Sequence, residues 1–266
     1  MKKSISKITL LIALSLLITL FSSGCDEILD YALDGIYQEV SQAFEADSEV
    51  LPGISYQFSD NHLQQMEQLS WLYDEGNDYR YVEYMTIDIE NWQRSHIYFG
   101  GHDELGRTLP ALAYLSSDNI GSSEERNRQT HNPSGWNQNQ IDGTWVHNRG
   151  HLIAYSLSFN FDENGNFSAG ELGCEDNPIN LFTQTAHSNQ RVMTRFEDAV
   201  REMLRSGCYV VYKASPVFRG DELMARGIWL QGLSRCGEVE FSVYIFNRQP
   251  GVDFDYETGA SWAVAP

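Results

Sequence analysis

The segment from Ser188 to Ser206 most constrains the fold, because its apolar residues recur at intervals of three and four. Advancing about 100° per residue from Asn189 places these residues in one sector between about 280° and 60°. They are Val192, Met193, Phe196, Ala199, Val200, Met203 and Leu204. Glu197 and Arg201 follow Asn189 along one edge of that sector. We predict a core-facing helix, with Ser188 as its N-cap, whose edge presents an amide, a carboxylate and a guanidinium.

Short apolar and aromatic runs, separated by turn-forming residues, indicate β-strands on both sides of this helix. The runs before it cover residues 81–89, 96–99, 109–115, 144–146 and 152–157. After it, residues 208–213, 227–232 and 239–246 alternate like neighbouring strands of an antiparallel sheet. Cys208 and Cys236 flank two of these strands, which favours a disulfide between them and leaves Cys174 free. The pattern predicts an α+β domain with a central antiparallel sheet flanked by helices.

The N-terminal residues have the features of a targeting segment. Three lysines precede an apolar run from Ile8 to Phe21, and small residues then lead to Cys25. We interpret residues 1–24 as a signal peptide. The position of Cys25 resembles a bacterial lipobox, which implies an acylated cysteine and a lipoprotein attached to the membrane of the cell envelope. Ordinary secretion and an uncleaved anchor are the alternatives, although the run is short for spanning a bilayer.

The formal net charge is −19, from 18 basic and 37 acidic residues. This balance excludes an ordinary basic, sequence-reading nucleic-acid binder, but it does not exclude an enzyme that acts on nucleic acid. Much of the acidity precedes residue 80, and residues 26–50 contain eight acidic residues and no basic one. We therefore divide the exported chain into an acidic leader or spacer at residues 25–79 and a folded domain at residues 80–266.

Five polar residues could carry chemistry, although each has an ordinary structural explanation when taken alone: His151, Asn180, Asn189, Glu197 and Arg201. A histidine in a strand is usually structural, and a Glu–Arg pair one helical turn apart is usually a solvated ion pair. Together, a neutral imidazole can accept a proton from water and an arginine can bind phosphate. Amide and carboxylate oxygens suit a hard divalent cation.

The order and spacing of these residues resemble a known family. The motifs are Asn148-Arg149-Gly150-His151-Leu152-Ile153, Asn180-Leu181-x-Thr183-x-Thr185, Asn189-Gln190, Met193 and Phe196-Glu197-x-x-Val200-Arg201. They resemble the DNA/RNA non-specific endonucleases of the ββα-metal (His-Me finger) class, in the branch of the bacterial DNA-entry nucleases. The resemblance covers residues 80 to 260 and implies the ββα-metal nuclease fold. Asn148 stands where the wider family has aspartate.

The resemblance also implies roles for these residues. Its catalytic residues would be Arg149, His151, Asn180 and Arg201. His151 matches the general base, and Asn189 matches the direct protein ligand of the metal, usually Mg2+ with Mn2+ as a substitute. Glu197 matches the carboxylate that reaches the metal through water. Asn180 matches an amide that orients the site, and Arg201 matches an arginine near the scissile phosphate.

The implied activity is metal-dependent hydrolysis of phosphodiester bonds in DNA and RNA, with little sequence preference because the contacts are to phosphate. The substrates, DNA and RNA, and the membrane are the expected partners, and the sequence identifies no protein partner. Two alternatives stay open at this point. One is a catalytically inactive nuclease-fold lipoprotein that binds an envelope partner or nucleic acid, and the other is a toxin nuclease with an immunity partner.

A further pattern in residues 160–171 resembles the loop of a calcium-binding EF-hand. Asn160, Asp162, Asn164 and Glu171 occupy loop positions 1, 3, 5 and 12, with Gly165 at position 6. Position 1 is Asn instead of Asp, and no helix is evident on either side. We favour a plain turn in an inserted hairpin or loop, with a Ca2+ site as the alternative.

Overall fold

The computed structural model describes residues 59–90, 92–121, 129–171 and 176–264. The described residues from 59 onward belong to one compact unit. This unit includes residues 59–79, which the sequence analysis assigned to the leader. The predicted signal peptide, Cys25 and Cys174 lie outside the described residues. Within the described part of the chain, no helix is long and apolar enough to cross a membrane.

The domain combines two α-helices and twelve β-strands among the described residues. The helices are α1 (Asp60–Ser70) and α2 (Thr194–Arg205). The strands are β1 (Tyr79–Tyr81), β2 (His96–Phe99), β3 (Ala111–Leu115), β4 (Gln140–Ile141), β5 (Thr144–Trp145), β6 (His147–His151), β7 (Leu181–Thr185), β8 (Val210–Val217), β9 (Gly227–Ser234), β10 (Glu240–Phe246), β11 (Val252–Asp255) and β12 (Ala260–Ala263).

Six strands form the central sheet in the order β1-β10-β9-β8-β3-β2, and every neighbouring pair is antiparallel. The pairs β4–β5, β6–β7 and β11–β12 form separate two-stranded sheets. Side chains alternate between the two faces of the central sheet, because successive residues of a strand point in opposite directions. Ile228, Leu230 and Val243 join the core cluster that contains the apolar face of α2, whereas Trp229 and Tyr244 join a second cluster beneath α1. The predicted α+β class with a central antiparallel sheet flanked by helices is confirmed.

Helix α1 belongs to the domain because it packs on the central sheet through both apolar and polar contacts. Leu69 is buried in the second core cluster, and the ring of His62 stacks on Trp229 with centroids 4.9 Å apart. His62 Nδ1 also lies 3.4 Å from Nζ of the buried Lys213. Burial lowers the pKa of Lys213 to about 7. The sequence pattern missed this helix because its buried side is narrow and partly polar.

Several predicted elements are confirmed and others are not. Strand β2 has the predicted bounds, and the sheet strands β8, β9 and β10 cover most of the predicted segments. Residues 152–157 are not a strand, since a short 3-10 helix occupies Tyr155–Leu157 and the strand is the preceding segment His147–His151. Beyond Tyr81 the predicted first strand does not continue. Val82 N still donates to Ser242 O of β10 at 2.9 Å, and residues 83–89 then leave the sheet.

The predicted disulfide between Cys208 and Cys236 is confirmed, with their Cα atoms 6.2 Å apart. It joins Cys208, two residues before β8, to Cys236 in the turn after β9. The crosslink therefore fastens two neighbouring strands of the central sheet at one end. Each cysteine lies near the end of a strand that the alternating sequence pattern predicted. That pattern was therefore sufficient to predict the disulfide.

The calcium-like loop is a hairpin. Phe161 and Phe167 form an antiparallel bridge, and the carboxylate of Asp162 accepts hydrogen bonds from the backbone N–H groups of Asn164 and Asn166. The amide oxygen of Asn160 accepts a hydrogen bond from the backbone of Gly170. These contacts use side-chain oxygens that the calcium alternative requires as ligands. They favour the plain turn, and Ca2+ binding stays an untested prediction.

Candidate active site

The site is built on the antiparallel pairing of β6 with β7, in which His151 lies opposite Leu181 and Gly150 opposite Phe182. Gly150 allows a close approach between the two strands. A Cβ atom at this position would lie 2.2 Å from Oε1 of the buried Gln184. Any larger residue would force the strands apart. The glycine of the motif therefore sets the position of His151 relative to β7.

Asn180 fixes the chain on the other side of His151. Its side chain is fully buried, with Oδ1 accepting a hydrogen bond from Ile153 N at 2.9 Å and Nδ2 donating one to Ile153 O at 3.0 Å. Its own carbonyl accepts a hydrogen bond from Leu152 N at 2.8 Å. Asn180 does not line the cleft described below. It therefore orients the backbone that follows His151 and does not face the reaction space.

A cleft of about 1090 Å³ brings most of the predicted site residues together. Its walls include Arg149 and His151 from β6 and Asn189, Glu197 and Arg201 from the helical segment. Residues separated by up to 52 positions in the sequence thus face one space. Among the described residues, no three His, Cys, Asp or Glu side chains gather into a metal-binding cluster.

The helical segment begins earlier than predicted and is not regular α-helix throughout. Ser188 is not the N-cap: its backbone N–H donates to Thr185 Oγ1 at 3.1 Å, so Thr185 satisfies the first turn. Residues Ser188–Met193 form a π-helical turn before α2. Wide turns of this kind are rare and frequently occur at functional sites. Asn189 lies in this turn and Glu197 in the first turn of α2.

Glu197 is a buried acidic group of the cleft with a strongly shifted pKa. Only 9% of the residue is exposed, and burial raises the pKa of its carboxyl to about 7 although the nearby charge of Arg201 lowers it. The closest guanidinium nitrogen of Arg201 is 3.7 Å away. Beneath it, burial and the charge of Glu197 together raise the pKa of Tyr212. A buried carboxylate that is weakly compensated by the protein is a suitable partner for an additional cation.

The two predicted arginines are held by different contacts. Arg201 donates to Ser156 Oγ at 2.8 Å and to Asp198 Oδ1 at 2.7 Å. Arg149 donates to His131 O at 2.5 Å, and its guanidinium lies 4.4 Å from the ring centre of Trp136. Arg201 thus lies beside Glu197, whereas Arg149 binds the turn that contains His131 and forms part of the opposite wall.

Two histidines of β6 face the cleft, and the sequence pattern identified one of them. His151 is 7% exposed, and its Nε2 lies 3.3 Å from Gln129 Nε2. His147 is buried between the rings of Trp136 and Phe254, and burial lowers its pKa to about 4. His147 is therefore neutral near pH 7. The four-residue separation of the two histidines, an even number in a strand, was the signal that both share one face.

Replacement of Asn180 by alanine tests its role in positioning the backbone. Asn180→Ala leaves the buried N–H and C=O groups of Ile153 without this partner, which costs about 1 to 3 kcal/mol for an unsatisfied group. Urea unfolding should show a loss of this size. The exposed Asn164, replaced in the same way, is the control and should change the unfolding free energy by less than about 0.5 kcal/mol. An Asn180→Ala protein as stable as the parent would contradict the assignment.

The chain is similar to several nucleases. A family model described as DNA/RNA non-specific endonuclease matches residues 82–234. A deoxyribonuclease from Streptococcus dysgalactiae subsp. equisimilis is 36% identical over 58 residues, which are 22% of this chain and 18% of that protein. The matched segment is thus a small part of the relative's length.

Solved structures of nucleases share the fold. NucA from Streptococcus agalactiae with no metal bound has a TM-score of 0.60 at 24% identity, covering 80% of this chain and 99% of NucA. NucA with a magnesium ion bound gives 0.59 at 24% identity, with coverages of 79% and 99%. The Sda1 nuclease with a bound zinc ion gives 0.55 at 21% identity, with coverages of 72% and 98%. The predicted ββα-metal nuclease fold is confirmed, and with the family match over more than half of its residues the chain belongs to the DNA/RNA non-specific endonuclease family.

Proposed function

We propose that this nuclease is a metal-dependent endonuclease that hydrolyses phosphodiester bonds in both DNA and RNA. The observation that carries the proposal is the common cleft of His151, Asn189, Glu197 and Arg201 in a chain of this family. The cleft supplies a base that can activate water, oxygen donors that can bind a cation and a guanidinium that can bind phosphate.

His151 is the proposed general base, which removes a proton from the water that attacks phosphorus. Its position on β6 is fixed on both sides, by the close packing at Gly150 and by the Asn180 contacts to Ile153. Rigid placement matters because a positioned base is effective only within hydrogen-bond reach of the attacking water. Arg201, on the opposite wall, is placed to bind the charged phosphate oxygens.

Asn189 and Glu197 are the residues that would hold a divalent cation, with Glu197 acting through water. The donor set fits Mg2+, which keeps several waters and needs only one or two protein ligands. The raised pKa of Glu197 fits as well, because a nearby cation would compensate its buried charge. When bound, Mg2+ supplies Lewis-acid stabilisation of the negative charge on the reacting phosphate. Mn2+ is the expected substitute.

Digestion of plasmid DNA and of RNA by the purified chain lacking residues 1–24, with Mg2+ or with EDTA, tests the proposal. We expect cleavage of both nucleic acids with Mg2+ and none with EDTA. His151→Ala should lower the rate by about 100-fold or more, since a positioned general base contributes at least this factor. The exposed His102 lies outside the cleft, and His102→Ala is the matched control that should retain parental activity.

A His151→Ala enzyme that keeps more than about a tenth of the parental rate would contradict the base assignment. A parent chain that cleaves neither nucleic acid with Mg2+, Mn2+ or Ca2+ at low salt would contradict the enzymatic proposal. That second outcome would favour the inactive nuclease-fold binding protein instead.

Replacement of Asn189 tests the metal assignment separately from the base. Asn189→Ala removes the amide oxygen, so half-maximal activity should require at least about tenfold more Mg2+, and excess Mg2+ should restore the rate. Asn189→Asp keeps an oxygen donor and should bind Mg2+ about as tightly as the parent. Isothermal calorimetry measures the affinity without relying on turnover. Unchanged Mg2+ affinity in Asn189→Ala would place the protein ligand elsewhere.

We also propose that the chain is exported and attached to a bacterial envelope membrane through acylated Cys25. The support is the sequence of basic, apolar and small residues that precedes Cys25. The full-length chain should partition into the membrane fraction, and Cys25→Ser should move it to the soluble fraction, detected by immunoblot. Cys174→Ser is the control and should not alter partitioning. A parent chain found only in the soluble fraction would favour ordinary secretion.

A further inference from the structure

We propose that Trp145 is a stacking platform for an unpaired nucleobase of the substrate strand. The inference rests on the proposed nuclease function and names the form of nucleic acid that the same cleft binds. Trp145 lies at the end of β5, six residues before His151. The indole has no general base and no oxygen donor for a metal, so its proposed role is to bind a base and not to take part in the chemistry.

The exposure of Trp145 within the cleft is the first observation. Trp145 is 55% exposed, so much of its large ring faces the solvent. Exposed aromatic residues are common on protein surfaces and need no function when they occur singly. Among the exposed large apolar residues that the structure describes, however, Trp145 is the one that lines the cleft containing His151 and Glu197.

A rigid support presents this ring. Strands β4 and β5 form a hairpin in which Trp145 pairs with Gln140. The turn between them, Asp142-Gly143, has positive φ at both residues, 51° and 76°, as a tight two-residue hairpin requires. At the base of the hairpin, Val146 N donates to Asn139 O at 3.0 Å. The hairpin is thus closed at the tip and fastened at the base, so the backbone that carries the indole is held in place before substrate arrives.

The neighbouring tryptophan shows why Trp145 is the available surface. The ring of Trp136 also lines the cleft, but the Arg149 guanidinium lies over it at 4.4 Å. Within the described part of the chain, neither an aromatic ring nor a guanidinium stacks on Trp145. Arg149, Arg201 and Arg205 line the same cleft. An aromatic ring beside a path for phosphates is the arrangement that binds single-stranded nucleic acid by stacking and charge.

The exposed ring of Trp145 and the nearby arginines determine which form of nucleic acid binds more tightly. Inside a duplex both faces of a base are covered by its neighbours, so an indole can stack only on an unpaired or frayed nucleotide. Stacking does not depend on the identity of the base or on the sugar, which agrees with cleavage of both DNA and RNA. The platform should therefore tighten binding of single strands by about 5- to 150-fold, the range measured when a stacking aromatic residue is removed.

The test measures binding in a His151→Ala background, where the substrate survives. Fluorescence anisotropy compares a short single-stranded oligonucleotide with an abasic oligonucleotide of the same length that keeps the sugar-phosphate backbone. Trp145→Ala should weaken binding of the normal strand by at least about fivefold and leave binding of the abasic strand within about twofold. Trp145→Phe, which keeps an aromatic face, should recover much of the lost affinity.

Trp71→Ala is the matched control. Trp71 is 57% exposed, follows α1 on the opposite face of the central sheet and does not line the cleft. This variant should bind both strands like its parent. Thermal melting checks that each variant is folded, which we expect for Trp145→Ala because most of the side chain is in solvent.

Two results would overturn the inference. The first is that Trp145→Ala and its parent show the same preference for the normal strand over the abasic strand. The second is that the parent itself binds the two strands equally. Neither result bears on cleavage, which is measured in the chain that retains His151. If the chain cleaves nucleic acid but gives either result, the proposed function stands and the stacking role of Trp145 is wrong. If the chain is inactive but binds the normal strand more tightly than the abasic strand, only the enzymatic proposal is wrong.

Discussion

The site depends on the pairing of β6 with β7 and on how closely the two strands approach. Gly150 leaves room for Gln184, and any Cβ at this position would collide with that side chain. The pairing places His151 opposite the first residue of β7, and Asn180, immediately before β7, binds back to Ile153. One local constraint therefore determines the position of His151, the proposed general base, and of the strand that leads to the helix.

The helical segment follows directly after β7, so the same pairing also positions the remaining groups. Its π-helical turn carries Asn189, and one α-helical turn separates Glu197 from Arg201. Burial of Glu197 against the core costs free energy that its distant contact with Arg201 offsets only in part. The cleft thus keeps a carboxylate whose charge a bound cation would compensate.

The sequence predicted the elements whose side chains alternate or recur with a strict period. The apolar face of α2 and the strands β8 to β10 follow such patterns, and the position of cysteines beside two of these strands was sufficient to predict the disulfide. Prediction failed where tertiary contacts override the local pattern. Helix α1 is attached by buried polar groups such as His62, and Ser188 loses the N-cap position to Thr185, which β7 brings to the helix start. His151 and Glu197 were predicted by spacing and resemblance, whereas the exposure of Trp145 in the same cleft is visible only in three dimensions.

A net charge of −19 creates a physical problem for a protein that binds a polyanion, because the long-range field opposes association. The arginines of the cleft compensate this only partly. Arg201 forms ion pairs with Asp198 and Glu197, and Arg149 donates a hydrogen bond to the carbonyl of His131. Affinity must then come from contacts that act at short range and are less sensitive to the total charge. The proposed divalent cation beside Glu197 and the proposed stacking of a base on Trp145 are contacts of this kind, one for the phosphate and one for the base. Both proposals are therefore consistent with the acidic composition of the chain.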